Sequence, residues 1–425
     1  MTSLSITSSF LFSVELVNAK MSYETIVSTI KLYTDEGRVN SIVDLIVNNN
    51  DSLFKGVHIL DEVLQQLEIQ EHCIAILCLL LNKIQTKGVN LDQTFAQLYE
   101  FISECDEQKM KSVSHLYANL FHHLTECLVK AKQYLRGIDL LTKAIPKIQN
   151  QPSQLTSIHA DLCKLCILAK CLKPALTFLD VDISDISKEN DSFDVKYYLL
   201  YFYYGGIIYS ILRKFDRAFY FFQAAISITG SAVSEIMIEA YKKYILVSLL
   251  YYGELPQQRS AYLNRCVRPF VGVYQDLAFA YSRNDIDELQ EIFNEHKGIF
   301  EKDRNIGLVK QVIASLVKVK IRNLTKTFMT LSLSDVASKV NLANEKEAEK
   351  MVLQMIDDGE IFANINQRDG MVIFLDKPEK YNTHQMYHTI EQELNKCIKL
   401  NENLKQLNMD ILLNPKYHKN SRFLD

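Results

Sequence analysis

The chain has 425 residues, of which 48% are hydrophobic and 23% charged, and its formal net charge is −4. That length suits two to four structural units of an ordinary globular protein, and the slight acidity gives no field to attract nucleic acid or anionic lipid. With 13 Gly and 7 Pro, long helices are expected to dominate and extensive β-structure is not. The nine Cys are odd in number and follow no convincing secretory signal, so they read as reduced thiols of a cytoplasmic or nuclear protein.

Residues 1–20 have a short apolar part that carries Glu15 and lacks a basic start. They make a poor signal peptide and are too short to span a bilayer. The expectation is a poorly ordered extension or a misassigned start. No later stretch is apolar and long enough to cross a membrane.

Residues 21–196 are expected to form TPR-like helical repeats, and the pattern runs on through a helical part at 197–302. The clearest unit is YYGGIIYSILRKFDRAFYFFQAAI. In it Gly206, Tyr209, Ala218, Phe222 and Ala225 fit the tetratricopeptide spacing, where small residues let two antiparallel helices touch. Weaker units carry Gly137, Leu141 and Ala144, and Ala175 and Leu179. The equivalent positions 137, 175 and 218 are 38 and 43 residues apart, longer and less regular than the roughly 34 residues of the tetratricopeptide repeat. A right-handed solenoid of degenerate pairs is therefore expected, with a concave face of the kind that binds protein. Breaks are expected at Gln151–Pro152, Ser184–Ser192, Gly253–Pro256 and Arg283–Asp287.

Residues 303–378 read as a winged helix entered by a helix over Ile306–Phe328, by its spacing of Ile306, Val309, Val312 and Leu316. Ser332 with Asp335 is an S-x-x-D capping box, so a helix should begin at Leu333. Asn344 with Glu347 is a second N-cap pair. Ala348, Met351, Val352, Met355 and Ile356 follow at helical spacing, and Gly359 stands where a C-terminal cap glycine would. Ile361–Ile365 and Met371–Leu375 then form a hairpin about Asn366–Gly370. One edge of that hairpin is expected to add to a neighbour's strand.

Pro378 marks a break. Over 383–413, Met386, Ile390, Leu394, Cys397, Leu400, Leu404, Leu407 and Ile411 recur at steps of three and four, close to a heptad pattern. The functional reading is a helix for a partner or a bundle, and the alternative is packing on the chain's own winged helix. Residues 414–425 read as a loose tail.

Groups that carry chemistry are few. Cys163 and Cys166 lie one turn apart on an amphipathic stretch, with Cys171 and His159 near, but no second pair completes a structural zinc set. They read as small core hydrophobes. His384 and His388 lack the Glu of H-E-x-x-H, and His122 and His123 point in different directions. No phosphate-binding or nucleophile-elbow motif occurs. The second winged-helix helix, 345–358, has five acids and two lysines, a surface that phosphate repels. No catalytic residue, cofactor, metal site or membrane contact is expected.

Helical repeats, a winged helix and a closing helix together resemble the PCI family, shared by the proteasome lid, the signalosome and an initiation factor. The phrases QLTSIHADLCKLCILAKCLKPAL, YKKYILVSLL, LTKTFMTLSLSDVAS and EAEKMVLQMIDDGEIFANINQRDGMVIF are similar to the third-subunit family of the COP-nine signalosome, and the similarity runs from about residue 60 to 412. The resemblance implies a non-catalytic scaffold in a hetero-oligomer that removes Nedd from cullins of cullin-RING ligases. The metalloprotease would reside in a different subunit. Lateral winged-helix contacts fall on Ile361, Phe362, Ile365, Val372 and Phe374, and a common helical bundle on the stripe from Met386 to Ile411. Subunits one, two and eight are the expected neighbours, in cytoplasm and nucleus. A PCI subunit of the proteasome lid or of another PCI complex is the alternative, and a nucleic-acid-binding winged-helix adaptor a more distant one.

Overall fold

A computed structural model describes residues 23–36, 38–48, 57–86, 90–187, 194–228, 233–256, 261–340, 342, 344–376 and 383–413. The expectations for residues 1–20 and 414–425 lie outside the described residues. The chain divides into two compact units, Met1–Ile313 and Ala314–Asp425.

The first unit opens with α1 (Tyr23–Asp35), α2 (Val39–Asn48), α3 (Val57–Gln65) and α4 (Cys73–Gln85). The α4 sequence CIAILCLLLNKIQ is apolar on every side, and every residue but the last is buried. A helix of that kind must be surrounded, and α4 packs against α2, α3, α5 (Leu91–Glu104), α6 (Glu107–Ser112) and α7 (Ser114–Ala131). Its two buried polar residues are satisfied. Buried Lys83 pairs with Asp61 and donates to Gln97 at 2.8 Å, and Asn82 donates to the Ile46 carbonyl at 3.2 Å.

The chain continues through α8 (Tyr134–Ile148), α9 (Ile158–Ala169), α10 (Lys173–Leu179), α11 (Val195–Ile211), α12 (Phe215–Ile226), α13 (Glu235–Tyr251), α14 (Ala261–Ser282), α15 (Ile286–Glu295), α16 (Lys297–Lys302) and α17 (Ile306–Thr327). Packing passes along the series: α7 on α8, α8 on α9, α9 on α11, then α11 to α15 each on the next. The breaks expected near 151, 253 and 284 fall between helices, as does the described part of the break at 184–192. Two short strands were not expected. β1 (Gln154–Leu155) and β2 (Asp185–Ile186) pair in parallel and tie the α8–α9 connection to the segment after α10.

One turn recurs between paired helices. Lys132, Lys170, Arg213, Asn284 and Arg304 all have φ of 56–59°, the left-handed region. In each case the next N–H reaches back to the carbonyl five residues earlier, as in Lys214 to Tyr209 at 3.0 Å and Cys171 to Cys166 at 3.1 Å. This is the Schellman closure, which satisfies carbonyls at the end of one helix while starting the next. Gly137, Ala175 and Ala218 each stand five residues beyond such a turn, so the 38 and 43 residue intervals are the spacing of the turns themselves. Ala175 and Ala218 are fully buried. A Cβ on Gly137 would lie 2.6 Å from Leu128 and Leu165, and one on Gly206 2.7 Å from the Phe222 ring.

In the second unit, β3 (Thr330–Ser332), α18 (Leu333–Val340), α19 (Glu345–Asp357), β4 (Ala363–Asn366) and β5 (Met371–Phe374) follow the expected order. Ser332 Oγ accepts from Asp335 N at 3.0 Å and so caps α18. Asn344 occupies the N-cap of α19, but its side chain makes no capping bond, and that part of the expectation is corrected. Gly359 has φ +68°, and the Glu360 and Gly359 N–H groups close a Schellman motif on Met355 and Ile356. The sheet is antiparallel with order β3-β5-β4. The last helix, α20 (His384–Leu413), has 30 residues.

Two substitutions in one repeat are expected to have opposite signs. Arg213→Gly removes a side chain from the left-handed turn and should stabilise by about 1 kcal/mol. Gly206→Ala forces a methyl into Phe222 and should destabilise by about 1–3 kcal/mol, despite the better helix former. Denaturant midpoints of the full chain check both, and shifts of the same sign would contradict the turn and packing account.

Candidate assembly surfaces

Two apolar surfaces of the second unit face solvent. The first is one face of its sheet. β5 is the central strand, with Val372 opposite both Leu331 on β3 and Ile365 on β4, and Ile373 opposite both Thr330 and Asn364. Side chains alternate along a strand. Val372 (0% exposed) and Phe374 (7%) join Leu333, Val336, Val340, Val352 and Met355 in the unit's buried core, while Ile373 (43%) and Leu375 (51%) point outward with Met371. Met329, just ahead of β3, is more exposed still, and its carbonyl accepts from Phe374 N at 2.8 Å.

This register corrects the sequence assignment. Of the five residues expected at a partner-facing edge, Ile361, Val372 and Phe374 are buried in their own unit, and Phe362 and Ile365 are half-buried. Their apolar character serves the core, and the outward face carries Met371, Ile373 and Leu375 instead. The edge itself is also narrower than expected. β5 has a strand on either side, so Met371–Leu375 has no free edge, and only β3 and β4 border the sheet.

The second surface is α20. None of its described residues is buried, Met386 is half-buried, and the rest of the expected stripe (Ile390, Leu394, Cys397, Leu400, Leu404, Leu407 and Ile411) is exposed. Leu394, Leu400 and Leu404 each leave more than half of their surface in solvent. The seven steps from 386 to 411 average about 3.6 residues, the period of a straight helix, so the stripe runs lengthwise along one side. The alternative of packing on the winged helix does not occur among the described residues. Tyr387, Ile398, Met409 and Leu412 add exposed apolar surface beside the stripe.

The electrostatics of α19 remain acidic. Glu345 and Glu347 lie exposed in its first turn, where the helix dipole favours them. At the other end Asp358 and Glu360 are neutralised by the unit's own cations: Lys318 Nζ lies 2.9 Å from each, and Arg322 is 3.2 Å from Glu360.

Reactive groups elsewhere are occupied by packing. Cys163 and Cys166 are buried, and burial holds the Cys163 thiol well above its usual range and pushes Cys166 up to about 12, so both stay protonated. His159 beside them is buried, which lowers its pKa to about 4, and its Nδ1 lies 2.8 Å from Thr156 Oγ1. His122 pairs with Asp161 and stacks on Tyr197 at 4.0 Å, whereas His123 meets Gln85 at 3.3 Å, so the two do diverge. Among the described residues no three His, Cys, Asp or Glu gather as a metal set, and no helix is long and apolar enough to cross a membrane.

One polar cluster escaped the sequence reading. Lys243 is buried, which lowers its pKa to about 8, and its Nζ meets Asn305 Oδ1 at 2.5 Å. Asn305 donates to Tyr274 Oη at 2.9 Å, Tyr274 donates to Asp303 at 2.8 Å, and Lys242 pairs with Asp303 at 2.9 Å and Glu239 at 2.7 Å. The network joins α13, α14 and the turn into α17. The only signal in the sequence was the two lysines inside the apolar phrase YKKYILVSLL.

A helical-repeat unit followed by a winged helix and a long exposed helix is the arrangement of PCI-domain proteins, and the PCI domain model matches residues 293–376. A second family model, "COP9 signalosome complex subunit 3, N-terminal helical repeats", matches residues 36–263. The COP9 signalosome complex subunit 3 of Drosophila melanogaster is 36% identical over 416 residues, covering 93% of this chain and 94% of its own. That of Arabidopsis thaliana is 34% identical over 411 residues, covering 95% and 94%. The chain belongs to the COP9 signalosome complex subunit 3 family.

The register of β5 separates folding from surface. Val372→Asp should unfold the winged helix, because an unpaired carboxylate replaces a fully buried side chain, at about 3–5 kcal/mol. Ile373→Asp, one residue on, should change stability by less than about 1 kcal/mol. Circular dichroism melts of the two variants distinguish them, and equal losses would mean the register is wrong.

Proposed function

We propose that this chain is a non-catalytic scaffold subunit of the signalosome. It supports removal of Nedd from cullins of cullin-RING ubiquitin ligases while another subunit does the chemistry. The observation that carries this reading is α20, whose apolar stripe is exposed in its own chain at every position but the half-buried Met386. A soluble protein seldom leaves so long a stripe in water unless a partner covers it.

The stripe then enters a bundle with helices of other subunits, and the outward sheet face of Met371, Ile373 and Leu375 meets a neighbouring winged helix. The partners are other signalosome subunits, with subunits one, two and eight as immediate neighbours, in both cytoplasm and nucleus. The family matches support the signalosome over the proteasome lid. The acidic α19 speaks against a nucleic-acid adaptor, since phosphate would be repelled.

The test is assembly. Co-expression of all subunits, with purification through a tag on a different one, should recover wild-type chain in equal amount. Leu394→Asp combined with Leu404→Asp should be lost from the complex, because each unpaired charge in an apolar seam costs about 3–5 kcal/mol. The isolated double variant should keep its helical signal and its melting temperature. Undiminished incorporation would refute the bundle role, and global unfolding would show that α20 packs on its own chain. Cys397 gives a second readout on the wild type. A maleimide should label it in the isolated chain and not in the assembled complex.

A further inference from the structure

The helix connections of the first unit alternate between two edges of the stack, because successive helices pack antiparallel. β1 and β2 pair the α8–α9 connection with the segment after α10, so those two connections share an edge. The left-handed turns at Lys132, Lys170 and Arg213 therefore line the opposite edge. They stand side by side there, because α7 packs on α9 and α9 on α11.

That edge is basic and partly apolar, and both characters face solvent. Lys130, Lys132, Lys170, Lys173, Arg213 and Lys214 are exposed. None of the six makes an ion pair among the described residues. Residues 127–138, 162–179 and 195–215, which hold the three turns, contain no Asp or Glu. In a chain of net charge −4 this is a local reversal of sign. Asp216, the first acid beyond the third turn, lies in the first turn of α12, where the helix dipole offsets it. Among the cations, Leu135, Leu168, Ile211 and Leu212 each leave more than a third of their surface in solvent.

We infer that this edge docks an acidic protein segment laid across the three turns. Packed helices lie about 8–10 Å apart, and an extended chain advances about 3.3 Å per residue. Asp or Glu at about every third residue therefore meets successive turns, and aliphatic side chains between them reach Leu135, Leu168 and Ile211. The exposed apolar side chains of the turns are aliphatic and offer no ring on which a base would stack, which favours protein over single-stranded nucleic acid. The inference goes beyond the assembly reading, because the edge belongs to the other unit.

The test uses the full chain and a fluorescent twelve-residue peptide that repeats Glu-Leu-Asp. Anisotropy should show saturable binding at physiological salt that weakens as salt is raised. The amide counterpart, Gln-Leu-Asn, should bind at least tenfold more weakly. Lys170→Gly with Arg213→Gly should also lose at least tenfold in affinity. Glycine suits the left-handed turn, so the melting temperature of that variant should hold or rise. If it falls, Lys173→Gln with Lys214→Gln, neither at a left-handed position, replaces it with the same expectation. Carbodiimide coupling of the bound peptide should map to Lys132, Lys170, Lys173 or Lys214. No binding, equal binding of the amide peptide, equal affinity for the variant chain, or coupling confined to other lysines would each overturn the assignment. Tighter binding of a twelve-nucleotide single strand than of the acidic peptide would overturn it in favour of nucleic acid.

Discussion

The left-handed turn between paired helices is the constraint on which the first unit depends. A helix ends with four carbonyl groups that lack partners, and here five helices end the same way, with one residue at φ of 56–59° and a backward bond from the next N–H. That closure fixes the angle at which the second helix leaves. It also sets where the second helix first touches the first, and Gly137, Ala175 and Ala218 stand at that point. A small residue there lets the backbones approach, and within the α11–α12 pair the Phe222 ring of the second helix fills the seam over Gly206 of the first. The stack follows from one repeated local geometry more than from any repeated side chain, and so the sequence intervals vary while the fold persists.

That balance explains what was legible. The small residues of the repeats, the Ser332 cap, the Gly359 stop and the order of the winged helix could be read because each has a distinctive residue type. The turns themselves could not. Left-handed conformations are announced by Gly or Asn, and four of the five positions, Lys132, Lys170, Arg213 and Arg304, carry long basic side chains with no such mark. The stripe on α20 was legible because most of the residues outside it are polar. The outward face of the sheet was not, because Met371–Leu375 is apolar on both sides and alternation offers no polar marker to set the register. Assignment of Val372 and Phe374 to a partner was the one-residue error that such a strand invites.

The buried network around Lys243 belongs to the same logic. An unpartnered ammonium in a core costs several kcal/mol, and YKKYILVSLL is by composition a poor core segment. The turn at Arg304 resolves it. The left-handed closure there presents Asp303 and Asn305 on either side of Arg304, and both side chains reach α13 and Tyr274. Local turn geometry, with Glu239 of α13 itself, thus supplies the polar partners that allow two lysines beside the apolar run of that helix.

Magnitudes decide how the exposed surfaces of the second unit would act. Burying eight stripe residues at about 1–2 kcal/mol each yields roughly 10 kcal/mol, against an association cost of about 4–15 kcal/mol. One helix pairing with one other is therefore marginal, and a bundle of several helices is needed to cover the side faces that carry Tyr387, Ile398 and Leu412 as well. The sheet face offers only three or four side chains and is too small to hold a partner alone. Joined to α20 on one chain, however, it would act at high effective concentration once the helix is engaged. Under the proposed bundle role, assembly would then be cooperative: each contact is weak alone, and loss of the stripe would remove both.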